Sequence, residues 1–110
     1  MMKTICYIDL PDKDNGHGVS VRKLHENEHT QVVHIKLNPG EKIDPHSTPV
    51  DVFFYILEGA VTVMIGSEQT TVSKDTLIES PANIPHALYN ESARVSRILC
   101  IKTPHPGQKK

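Results

Sequence analysis

GEKIDPHSTPVDVFFYILEG, residues 40–59, and SPANIPHALYN, residues 80–90, decide how this chain is read. In the first stretch a nearly continuous apolar run, Val52 to Leu57, is closed by Glu58-Gly59, the pattern of a short strand buried on both faces. Five residues separate Gly40 from His46, so His46 stands where the chain feeds that strand, with its imidazole at the mouth of the core. The second stretch is a turn-rich approach. Pro81 and Pro85 preset the backbone and Asn83 tolerates a left-handed conformation, which delivers His86 into a short strand ending at Asn90.

Outward from these stretches the same grammar repeats. No segment keeps apolar residues at helical spacing over three turns, whereas short apolar or alternating runs recur between Gly, Pro, Asn and Asp. Strands are expected near residues 4–8, 19–24, 30–37, 52–57, 61–65, 69–72, 76–80, 86–90 and 95–102. Asn38-Pro39-Gly40, Glu58-Gly59 and Gly66-Ser67 supply turns between them. A length of 110 residues suits one domain, residues 1–110, with a motif-bearing core at about 40–90 and a polar tail at 103–110. Aromatics are 5% and Trp is absent, so Val, Ile and Leu must build the core, as in a β protein. The net charge is −1 and no basic stripe is present, which argues against nucleic acid as a partner. The apolar run from Ile5 to Ile8 is too short for a signal core or a membrane span, so no membrane role and a cytoplasmic location are expected. Cys6 and Cys100 lie in apolar surroundings with no metal-binding spacing, and read as buried thiols.

The two motif stretches resemble the cupin family. Its first motif runs Gly, five residues, His-x-His, three or four residues, Glu, six residues, Gly; Gly40, His46, Thr48, Val52 and Gly59 occupy those places. Its second runs Gly, five residues, Pro-x-Gly, two residues, His, three residues, Asn; Asp75, Pro81, Asn83, His86 and Asn90 fill the slots. The resemblance implies an all-β fold, the double-stranded β-helix or jelly-roll barrel. It also implies a divalent ion, Fe, Mn, Zn, Ni or Cu, held by two His of the first motif, the Glu, and the His of the second. Carried over, His46 and His86 match, but Thr48 replaces a His and Val52 replaces the Glu. A Thr hydroxyl is a poor ligand for first-row metals and Val offers no donor. Asp51, one position before the Glu slot, would complete a two-His-one-carboxylate set if the segment Ser47-Thr48-Pro49-Val50 shifts by one residue or bulges, although a one-residue shift turns a side chain to the other face.

Seven His in so short a chain invite a metal reading, and strand parity divides them. Val33, Ile35 and Leu37 form an inward row, which places His34 outside beside Lys36. His17, His25, His29 and His105 lie in polar or tail segments and read as solvated. Only His46 and His86 are expected to converge. Phe53 and Phe54 must point to opposite faces, and an outward Phe beside outward Tyr55 implies a covered outer sheet, most simply in a homodimer. Two functions remain open. In one, a metal on His46 and His86, helped by Asp51 or water, polarises a small substrate for a dioxygenase or isomerase reaction. In the other, a metal-free, non-catalytic module holds a small polar metabolite through the two imidazoles and Asn90. No catalytic residue is assigned in either.

Overall fold

The structure is a computed structural model that describes residues 1–11 and 18–108; His17, most of the polar loop around it, and the Lys109-Lys110 end lie outside the described residues. Nine strands run in the order β1 (Ser20–Asn27), β2 (Thr30–Leu37), β3 (Lys42–His46), β4 (Asp51–Glu58), β5 (Ala60–Ile65), β6 (Glu68–Ser73), β7 (Leu77–Ser80), β8 (His86–Tyr89) and β9 (Ser96–Thr103). They form a five-stranded sheet, β1-β2-β9-β4-β7, and a four-stranded sheet, β3-β8-β5-β6. Every pairing is antiparallel.

Alternation along the strands supplies the core. On β2 the row Val33, Ile35, Leu37 faces inward, on β4 Val52, Phe54, Ile56, and on β9 Ile98 and Cys100; all are buried. Register joins them side by side, for example Val33 to Cys100 and Cys100 to Phe54. From the facing sheet come Ile43, Val61, Val63 and Leu88, which complete one apolar cluster. Gly59 sits between β4 and β5, where the chain passes from one sheet to the other. Its φ is +78°, and a Cβ there would stand 2.6 Å from the Val95 carbonyl oxygen, so only glycine fits the crossing.

Three expectations need correction. First, the jelly-roll barrel does not form: both sheets are open, and among the described residues no ladder joins their edges. The edges carry the features that stop a ladder. Edge strand β3 contains Pro45, which has no N–H to give, and a bulge between Ile43 and His46; edge strand β1 has a bulge between Lys23 and His25. Second, residues 4–8 are not a strand. They lead into a single 3-10 turn, Tyr7–Asp9, lying against β1, whose bulged edge offers no regular ladder to extend. Third, residues 42–46 are a strand where only a loop or strand start was expected, because Lys42 and Ile43 pair with Tyr89 and Leu88 despite the proline. Among the described residues no helix is long and apolar enough to cross a membrane.

The outer face of the five-stranded sheet has its own order. One row crosses it from Arg22 through His34, Leu99 and Tyr55 to Leu77. Over its β1–β2 end lies Tyr7, stacked on His34 at 3.9 Å with 11° between the rings. The Arg22 and Arg97 guanidinium carbons sit 5.5 and 5.2 Å from the Tyr7 ring centre, within cation–π range. His34 is thus on the outer face, as parity requires, yet only 2% exposed.

Candidate functional site

A cavity of about 310 Å³ opens between the sheets, at the small end of the range for small-molecule pockets. The five-stranded sheet contributes Val21, Val33, Ile35, Phe54 and Cys100 to its walls, and the four-stranded sheet contributes Ile43, Ala87 and Leu88. Polar groups gather at the ends of the same inward rows: Lys23 on β1, Gln31 on β2 and Lys102 on β9, opposite His46 on β3 and His86 on β8. Among the described residues no Asp or Glu lines it.

His46 and His86 converge as expected. They are directly paired across β3 and β8, and their rings meet edge to face at 4.7 Å. The loop carrying Asn83 makes this possible. Asn83 takes φ 66°, and its N–H donates to the Thr48 carbonyl at 2.8 Å, which ties the approach to β8 to the approach to β4. His46 is exposed, and its Nδ1–H donates to the Asp44 carbonyl at 3.0 Å.

His86 is 3% exposed and has a hydroxyl at each ring nitrogen, Ser80 Oγ 2.7 Å from Nδ1 and Thr48 Oγ1 3.4 Å from Nε2. A neutral imidazole donates at one nitrogen and accepts at the other, and a hydroxyl can answer either. Phe54 meets the same ring edge to face at 5.2 Å. Burial, with smaller contributions from His46 and the Lys102 ammonium, lowers the His86 pKa to about 4, so the ring is neutral at pH 7. Burial likewise pushes the Cys100 thiol up to about 11, with Lys102 opposing. Cys100 is therefore a wall residue and a poor nucleophile.

The metal expectation is corrected here. Among the described residues no group of three His, Cys, Asp or Glu is placed to hold an ion. Val52 is inward and 1% exposed, so the slot of the missing carboxylate is filled by an isopropyl group. Asp51, with the opposite parity, is exposed, and its carboxylate accepts from the Ala82 N–H at 2.9 Å. It braces the loop from outside. Thr48, in the slot of the missing His, is 7% exposed and turned to His86. Among the described residues the donors present do not fit a divalent ion.

Asn90, expected to touch a ligand, is 1% exposed and serves the backbone. Its amide donates to the Leu37 and Arg94 carbonyls, and its Oδ1 accepts from the Ser92 N–H and hydroxyl. His25 and His29 are exposed as expected. His105 is not merely solvated: Nδ1 accepts from the Gly107 N–H, leaving Nε2–H to donate to Glu26 at 2.7 Å. Lys102, Gln31 and Lys23 were not singled out from the sequence. The signal was available in parity, because Lys102 extends the inward row Ile98, Cys100, and Gln31 extends Leu37, Ile35, Val33.

Two open antiparallel sheets around a small, imidazole-edged cavity define a β-sandwich. The chain belongs to the cupin family: the model described as Cupin domain matches residues 33–102, which contain His46, His86 and Lys102. An uncharacterized protein of Methanocaldococcus jannaschii, MJ0764, is 28% identical over 87 residues, covering 78% of this chain and 75% of that protein. The crystal structure of TT1209 from Thermus thermophilus is 26% identical with a TM-score of 0.81, covering 94% of this chain and 98% of that one. An RmlC-like cupin from Shewanella frigidimarina, 15% identical, shares the fold with a TM-score of 0.83, over 96% of this chain and 93% of its own. Membership of this family supports a general role in binding small molecules.

Proposed function

We propose that this cupin binds a small organic molecule in the inter-sheet cavity, against its two imidazole rings and apolar walls, without a metal ion. The observation that carries the reading is the hydroxyl at each nitrogen of His86, from Ser80 and Thr48. Where a ligand set would leave lone pairs aimed at an ion, this ring is already satisfied, and Thr48 supplies the partner from a ligand slot. The cavity then offers apolar area for a ligand's body and, at one end, polar groups to orient it.

An NMR fragment screen of untagged protein, run with and without EDTA, tests this. Ligands that shift the His46 and His86 ring resonances equally in both conditions are expected. Shifts that vanish on chelation would overturn the metal-free reading, and ligands that perturb only other residues would overturn the cavity as the site.

We propose further that a second copy covers the outer face of the five-stranded sheet. Tyr7 covers only the β1–β2 end of that face, and along the remaining row Leu99 and Tyr55 are half-buried and Leu77 is 52% exposed. Light scattering should give twice the monomer mass, with Leu77→Asp shifting it toward the monomer; a monomeric wild type would remove the proposal.

A further inference from the structure

The polar end of the cavity is unequal in charge. Two lysines reach it, but Lys23 is already matched by Glu26 at 3.1 Å. Glu26 also accepts from the Gln31 amide at 3.1 Å and from His105, so it holds Lys23, Gln31 and the tail as one outer cluster. Lys102 is different. Among the described residues no carboxylate lies within 4 Å of its ammonium. It stands in the inward row of β9, directly across from Gln31 on one side and Val52 on the other. Its charge lowers the pKa of both His86 and Cys100, the smallest of the causes acting on each.

Lys102 is half-buried, has no carboxylate within 4 Å among the described residues and shares the cavity lining with two imidazoles, a setting that favours an anion. The rest of the cavity limits which anion. Its walls are Val21, Val33, Ile35, Ile43, Phe54 and Leu88, surfaces that favour hydrocarbon over a polyhydroxylated body. One lysine without an arginine fork suits a single negative charge better than a phosphate ester.

We propose that the cavity is selective for a small carboxylate with an apolar aliphatic or aromatic body, the carboxylate lying against Lys102 and the body over Phe54, Ile43 and Leu88. This rests on the reading of the cavity as a small-molecule site. The imidazoles of His46 and His86 close the opposite side of the head group, and the neutral His86 ring contributes a dipole rather than a competing charge. The recognition is a point-charge interaction, so it weakens as salt screens it.

Calorimetric titration with benzoate and hexanoate, against their neutral isosteres benzamide and hexanamide, tests the charge directly. Each acid should bind about tenfold more tightly than its amide, the size expected of one partly screened ion pair, and raised salt should weaken the acids alone. Lys102→Met should bring the acids down to the level of the amides while leaving the amides unchanged. Lys102→Gln gives the same reading if the Met variant does not fold. Lys42→Met, which removes a surface lysine paired with Asp44 outside the cavity, should leave the acid preference intact. Acids and amides binding alike, or a preference that survives loss of Lys102, would overturn the inference while leaving the cavity reading standing. No binding by any of the four would overturn both.

Discussion

His34 and His86 are buried to nearly the same degree, 2% and 3% exposed, and burial lowers both pKa values to about 4. Around them the molecule does opposite things. His34 is sealed on the outer face beneath Tyr7, with Arg97 donating to its Nε2 at 3.1 Å and its Nδ1 buried with no hydrogen-bond partner among the described residues. Arg97 is in turn held by Glu58 at 2.7 Å. His86 has both nitrogens satisfied by hydroxyls and one side of its ring on a cavity. A perturbed imidazole therefore does not mark a site by itself. What separates the two is access, together with whether the hydrogen-bond partners leave the ring relaxed beside open space or locked under a lid.

The largest effect expected from this pair is on acid stability. Both folded pKa values lie below the ordinary 6.5, so between about pH 6.5 and 4 the unfolded chain binds more protons than the folded one. The stabilisation is fully present above that window and is lost as pH falls through it. Going from about pH 7.5 to about pH 5 should cost roughly 2 kcal/mol per ring, about 4 for both, in urea unfolding. His34→Phe, which keeps an aromatic surface for Tyr7, should halve that dependence and leave ligand binding unchanged. An unaltered pH slope in that variant would mean that His34 is not held neutral by its surroundings.

Ser80→Ala comes next. It removes the 2.7 Å partner of His86 Nδ1 in a site that is 1% exposed, and should cost about 1–3 kcal/mol for the orphaned nitrogen. The His86 ring resonances should shift while those of His34 stay put. Tyr7→Ala, by contrast, acts on the other ring. Loss of the stack should cost about 1 kcal/mol and admit water to His34, raising its pKa from about 4 toward 6.5 without moving that of His86. An NMR pH titration reads both rings in one experiment. The smallest effect belongs to the rim: Glu26→Gln weakens an exposed cluster with Lys23 and His105 and should change stability by less than about 1 kcal/mol. It should nevertheless speed proteolytic removal of the tail beyond Thr103.

Much of this contrast was legible in the sequence. The inward rows of β2 and β4 follow from alternation alone, and the two motif stretches brought His46 and His86 together before any coordinates. The empty ligand slots at Thr48 and Val52 were also visible. What alternation could not show was the outcome of those substitutions, because the Thr48 hydroxyl meets His86, 38 residues away along the chain, only through the loop tie at Asn83. Tyr7 was misplaced for a related reason. Residues 4–8 have strand composition, but a strand needs a partner edge, and pairing is a tertiary fact. Closure failed the same way: turn spacing suits a barrel equally well, and only the ladders show that the edges stay apart.

The central claim is that the space beside His86, and not the perturbed ring of His34, is where this protein meets its ligand. The direct measurement is an NMR titration of the uniformly labelled protein with benzoate in EDTA, following the ring resonances of His34, His46 and His86 together. The account predicts saturable shifts at His46 and His86 with His34 unmoved. Shifts at His34 equal to those at His86, or shifts at neither cavity histidine while benzoate binds, would contradict it.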